Sequence, residues 1–120
     1  DVNGDGVTDL LVGALLDAEA ANNAGAVWVL FLTASGGLSG AQKITGERGG
    51  LLMGTPRNER FGAHVASLGD VDGNGVSDVI VGTEFNDDPG MKGGSAFVLL
   101  LASDGTVVGE ATLGVDDIPE

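Results

Sequence analysis

Apolar residues in this chain gather in short segments, Val7 to Ala14, Ala26 to Leu32, Val76 to Thr83 and Ser95 to Leu101. Val, Leu, Ile, Phe and Trp dominate them and Gly or Asp bounds them, which predicts β-strands. Weaker segments, Ala41 to Thr45 and Val107 to Leu113, predict one more strand in each half, and Phe61 to Leu68 predicts another between the halves. Continuous apolar runs, as opposed to strict alternation, are the mark of strands covered on both faces. No stretch holds a helical spacing for three turns, so the expected chain is all-β.

The runs recur with a period. Shifting the sequence by 69 residues lays Asp1-Val2-Asn3-Gly4-Asp5-Gly6-Val7-Thr8-Asp9 on Asp70-Val71-Asp72-Gly73-Asn74-Gly75-Val76-Ser77-Asp78, and the match continues without a gap. Val12-Gly13 falls on Val81-Gly82, Gly25 on Gly94, Val29-Leu30 on Val98-Leu99, and Trp28 on Phe97. Such a period marks a repeat fold in which one unit cannot bury its own faces. A small antiparallel sheet sandwiched between similar sheets is the blade of a β-propeller. Propellers close with about four to eight blades. Fewer than two periods fit here, so a partial propeller with uncovered terminal faces is expected: a fragment, or a subunit that completes its core by association. A plain two-sheet sandwich of the two units is the simpler alternative.

Composition sharpens this. With 22 glycines and 42% hydrophobic residues among 120, the chain is too apolar for disorder and too rich in glycine for a helical bundle. The longest apolar runs, Ala26 to Leu32 and Ala96 to Ala102, are seven residues each, far short of a membrane-spanning helix. There is no cysteine, hence no disulfide or thiolate site. A net charge of −13, from 18 acidic and 5 basic residues, argues against nucleic acid or an anionic membrane as partner.

Part of that charge has a chemical reading. Asp1, Asn3, Asp5 and Asp9 form one set of oxygen side chains, and Asp70, Asp72, Asn74 and Asp78 the other. Oxygens at the first, third, fifth and ninth positions of a tight loop, with the backbone carbonyl of the seventh (Val7, Val76), form the shell of a hard cation, and Gly6 and Gly75 permit the reversal. Without His or Cys such a set selects Ca²⁺ over zinc or copper, with up to two ions expected, one per loop. The competing reading is that these are ordinary turns whose Asp and Asn cap backbone amides. At the first loop the α-ammonium of Asp1 would compete with the cation. An EF-hand needs a bidentate carboxylate at its twelfth position and flanking helices. Here that position is Val12 or Val81, inside a strand.

Asp70 to Asp78, preceded by Phe61-Gly62 and Val65-Ala66-Ser67-Leu68-Gly69, resembles the FG-GAP repeat of integrin α-subunit β-propellers and of bacterial surface proteins. The stretch Ala24 to Leu32, then Gln42-Lys43-Ile44-Thr45 and Gly49-Gly50-Leu51, is similar to the bacterial versions. The resemblance implies strands B, C and D of one blade followed by A, B, C and D of the next, the counterpart of Phe61 to Leu68 before Asp1 being missing. It thus implies an incomplete unit over residues 1–60, inter-blade loop included, and a second unit over 61–120. The element after each loop has drifted to Gly13-Ala14-Leu15 and Gly82-Thr83-Glu84, without proline. The resemblance also implies structural Ca²⁺ loops facing away from the ligand-binding loops, Leu16 to Ala24, Gly46 to Arg60 and Glu84 to Lys92. Neighbouring blades, and a protein or glycan ligand, are the implied partners, and an extracellular or cell-surface setting, in a secreted bacterial protein, the implied location.

No catalytic constellation accompanies these loops. His64 lacks an identifiable nucleophile partner, and Gly37-Leu38-Ser39-Gly40-Ala41 misses the G-x-S-x-G pattern at its last position. Trp28 and Phe97 read as core, and Arg48, Arg57 and Arg60 as a solvated loop. The sequence therefore favours a non-enzymatic, calcium-binding adhesion or ligand-binding segment. An accessory propeller beside the catalytic domain of a secreted hydrolase or polysaccharide lyase is the alternative. A carbohydrate-binding propeller fits less well, because aromatic residues make up only 4%.

Overall fold

The apolar runs do form strands, because each lies between a tight turn that reverses the chain and a neighbour that satisfies its backbone. The computed structural model describes residues 1–19, 22, 24–50, 60–83 and 96–113. These described residues form seven strands: β1 (Leu10–Ala14), β2 (Ala26–Leu32), β3 (Leu38–Ile44), β4 (His64–Gly69), β5 (Asp78–Gly82), β6 (Ala96–Leu101) and β7 (Val107–Leu113). Among the described residues there is no helix. The strands build a three-stranded sheet, β1-β2-β3, and a four-stranded sheet, β4-β5-β6-β7, antiparallel throughout. Two partial-propeller blades with consecutive strands side by side, three in the first and four in the second, account for this order.

Equivalent residues hold equivalent places in the two sheets. Val12 pairs with Trp28 as Val81 pairs with Phe97, and Val27 pairs with Ile44 as Ala96 pairs with Leu113. β1 and β5 begin later than the apolar runs, because Val7 and Val76 still belong to the acidic loops, where their amides bond to Asp5 and Asn74. β3 begins earlier, at Leu38, because Thr33 ties the turn before it: the Gly37 amide reaches its Oγ1 at 3.0 Å.

The sheets pack face to face. Val27, Val29, Phe31 and Ile44 of the first meet Val79, Val81, Phe97, Leu99 and Leu101 of the second in one apolar cluster, all nine buried. Phe61-Gly62 locks the two units. The Phe61 ring is fully buried 5.7 Å from that of Phe97, its amide bonds to the Ala24 carbonyl, and the Gly62 amide bonds to the Gly82 carbonyl. A Cβ at Gly13 would overlap the Gly62 carbonyl oxygen, and one at Gly25 the Phe61 carbonyl, so the approach requires both glycines. At the other end Gly105 rests on Phe31 and Gln42. Phe97 is core as expected, whereas Trp28 is half-buried under the Lys43 ammonium, 5.4 Å from its ring.

Of the loops expected to meet a ligand, 84–92 lies outside the described residues, as do 51–59, with Arg57, and 20, 21 and 23. Within the described part, Lys43 bonds Asp17 at 2.8 Å and Glu19 at 3.4 Å, and Arg48 lies 3.6 Å from Glu19, tying the β1–β2 connection to β3. His64 is exposed at the start of β4.

Candidate metal centre

Each acidic loop is wound around its first aspartate. In the second, Asp70 Oδ1 accepts from the Gly73 and Asn74 amides at 2.8 and 3.1 Å, and its Oδ2 from the Gly75 amide at 2.8 Å. Asp72 Oδ1 accepts from the Asn74 amide and Asn74 Oδ1 from the Val76 amide. The first loop repeats this: Asp1 accepts from Gly4, Asp5 and Gly6, Asn3 from Asp5, and Asp5 from Val7. Gly6 and Gly75 both have φ of +84°, where other residues are strained. Turn chemistry and a converging set of oxygens therefore coexist here.

The ninth residue of each loop anchors it to the blade. Asp78, wholly buried, accepts from the Val71 amide at 3.0 Å and from the Leu101 amide at 2.9 Å. Asp9, half-buried, accepts in the same way from Val2 at 2.8 Å and Leu32 at 3.1 Å. Sequence reasoning did not foresee the roles of Leu32 and Leu101, whose amides end the strand beside each loop. The signal was present in the alignment: Leu32 falls on Leu101 at the same shift that brings Asp9 onto Asp78.

The loops differ where their side chains differ. Asp70, Asp72 and Asp78 bring carboxylate oxygens within 4.8 Å of one another, and among the described residues theirs is the one trio of acidic groups so gathered. The first loop has Asn3 where the second has Asp72, so its third-position oxygen belongs to a neutral amide and the counterpart of the trio holds only two carboxylates, Asp1 and Asp9. In the second loop the amide falls at the fifth position instead. There Asn74 Nδ2 donates to the Leu101 carbonyl at 3.0 Å, a bond that the carboxylate of Asp5 cannot copy.

Crowding shows in the proton affinities. The Gly75 amide, before all else, holds the Asp70 carboxyl below the usual carboxylate range. Desolvation first, then the hydrogen bond with Asp70 and the charges of Asp78 and Asp70, push Asp72 above it. A proton at Asp72 relieves the repulsion, and a cation among the three would relieve it more fully. Hard oxygen donors without nitrogen or sulfur suit Ca²⁺.

Comparison with known proteins places the chain among integrin-like repeats. Residues 1–30, which hold the first loop, β1 and most of β2, match the FG-GAP repeat family model. Human integrin alpha-IIb is 36% identical over 110 residues, covering 88% of this chain and 10% of the relative. Mouse integrin alpha-3 is 34% identical over 85 residues, 71% of this chain and 8% of the relative. Integrin alpha-4 of Xenopus laevis is 37% identical over 81 residues, 68% and 7% respectively. The chain thus spans a tenth or less of the length of these relatives. With its loops and strands repeating at the same shift, the chain belongs to the FG-GAP repeat family.

Proposed function

We propose that this chain is a calcium-binding propeller segment of an extracellular or cell-surface protein, in which Ca²⁺ stiffens the acidic loops and the opposite loops meet a protein or glycan ligand. The second site takes Asp70, Asp72, Asn74, Asp78 and the Val76 carbonyl. The first takes Asp1, Asn3, Asp5, Asp9 and the Val7 carbonyl. Residues 1–60 and 61–120 form its two units, the first without its innermost strand. The segment itself is non-catalytic, and its other partners are neighbouring blades. The observation that carries the reading is the convergence of Asp70, Asp72 and Asp78 within 4.8 Å in a loop that recurs 69 residues away.

The cation tunes stability without carrying the fold. At millimolar free Ca²⁺ and a Kd of about 10⁻⁴ to 10⁻³ M, each site contributes about 0.4 to 1.4 kcal/mol. Calorimetric titration of the chain with Ca²⁺, beside an Asp70→Ala/Asp78→Ala variant, tests it. The second loop should lose its binding heat while the first keeps its own; equal heats from both proteins would refute a site at the second loop.

A further inference from the structure

Two asparagines in this chain precede glycine, Asn3-Gly4 and Asn74-Gly75, one in each acidic loop. Such a pair is the most prone of asparagine sequences to deamidate, because glycine has no side chain to hinder its own amide nitrogen. That nitrogen, once it has lost its proton to hydroxide, attacks the asparagine Cγ. The bond from Cγ to Nδ2 breaks, ammonia leaves, and a five-membered succinimide remains. Water then opens the ring at either carbonyl, so that one water is taken up for each ammonia released. The product is aspartate, or isoaspartate with its backbone routed through Cβ and Cγ.

The two loops hold their asparagines differently. Ring closure needs a carboxamide free to turn its Cγ onto the next nitrogen. Asn74 is pinned at both ends: Nδ2 donates to the Leu101 carbonyl at 3.0 Å and Oδ1 accepts from the Val76 amide at 2.9 Å. The first of these bonds ties it to the end of β6. Asn3 accepts one longer bond, from the Asp5 amide at 3.3 Å, inside its own loop. The attacking amides do not separate the two sites, since Gly4 donates to Asp1 and Gly75 to Asp70, both at 2.8 Å. Exposure would order them the other way, Asn74 being exposed and Asn3 half-buried. From the hold on the carboxamide we infer that Asn3 is a site of slow spontaneous deamidation, and that its aspartate product gives the first loop the carboxylate set of the second. Asn3 falls on Asp72, so a carboxylate there completes, with Asp1 and Asp9, the counterpart of Asp70, Asp72 and Asp78. This consequence rests on the cation site proposed at the first loop, where a further charged ligand raises the affinity for Ca²⁺. Isoaspartate does the reverse, because it lengthens the backbone between the third and fourth positions and spoils the spacing.

Peptide mapping by mass spectrometry, on the folded chain aged in mildly alkaline, calcium-free buffer, reads the replacement of amide by acid at each asparagine. Asn3 should convert about tenfold or more faster than Asn74, whose two hydrogen bonds must break before its ring can close. In concentrated urea, where neither loop is formed, the two should convert at similar rates. Calorimetric titration of Asn3→Asp with Ca²⁺ should then show the first loop binding about threefold or more tightly than in wild type. The aged chain, separated into its aspartate and isoaspartate forms, should bind more tightly and more weakly respectively. A folded chain in which Asn74 converts as fast as Asn3, one in which Asn3 stays intact while urea converts both, or a difference that persists in urea would overturn the modification. Conversion as stated with unchanged calcium heats in Asn3→Asp would instead overturn its consequence for the cation, and with it the site proposed at the first loop.

Discussion

The Asp78 carboxylate and the Leu101 amide, 23 residues apart in sequence, meet at 2.9 Å in the interior and join the acidic loop to the end of β6. A buried amide left without its acceptor costs about 1–3 kcal/mol, and Asp78 serves both Leu101 and Val71. Asp78→Ala should therefore destabilise the chain by about 2–4 kcal/mol even in chelator. Asp70→Ala, whose partners are exposed loop amides, should cost much less without Ca²⁺. Urea unfolding of both variants, with and without Ca²⁺, separates the anchoring role of Asp78 from any share in cation binding.

Gly13 bears a different constraint. A methyl group there would run into the Gly62 carbonyl, whereas at Gly40 it would make ordinary contact with Phe31. Gly13→Ala should cost about 1–3 kcal/mol or more, because backbone cannot step aside as a side chain does. Gly40→Ala should be neutral or stabilising by about 0.5–1 kcal/mol, through the entropy that strand glycine loses. Thermal unfolding of the pair reads the difference. Equal effects would mean that the two sheets do not approach at Phe61-Gly62 as described.

The Asp17–Lys43 pair sets a pH dependence. The Lys43 ammonium, as the first cause, lowers the Asp17 carboxyl from 3.8, and Asp17 in turn raises Lys43 from 10.5. The stability due to Asp17 is present in full above 3.8 and is lost as pH falls through its lower folded-state value. That due to Lys43 is present below 10.5 and is lost as pH rises through its higher one. Wild type should exceed Asp17→Asn in melting temperature at neutral pH, and the two should converge in strong acid. A gap that persists there would show that the bond owes nothing to charge.

Acid should also weaken the metal loop. Asp72 holds its proton above the usual carboxylate range, so a Ca²⁺ ion entering as pH falls toward that raised value must displace it. Calcium affinity should fall as pH drops from neutrality toward that value, with proton release visible as a buffer-dependent heat. Asp72→Asn should flatten that dependence while lowering affinity at neutral pH. Without Ca²⁺ the sign for folding is opposite to that of Asp17. Protonated Asp72 favours the folded state below 3.8, and this advantage fades as pH rises through the higher folded value.

The sequence alone determined the all-β class, the 69-residue repeat and the placing of four oxygen side chains in each loop. These are local: turn glycines, apolar runs and carboxylate spacing act within one loop or strand, and a repeat shows itself by identity. Strand ends were less legible, since Val7 and Val76 are apolar yet bond within their loops. Tertiary structure decided what depends on contacts distant in sequence. It set Leu101 against Asp78 and seated Phe61-Gly62 among Gly13 and Gly25. It also decided which apolar face of each sheet is covered. Strands apolar on both sides carry no mark of which side meets a neighbour, and only the packing of one sheet on the other makes Val79 core and leaves its counterpart Leu10 in water.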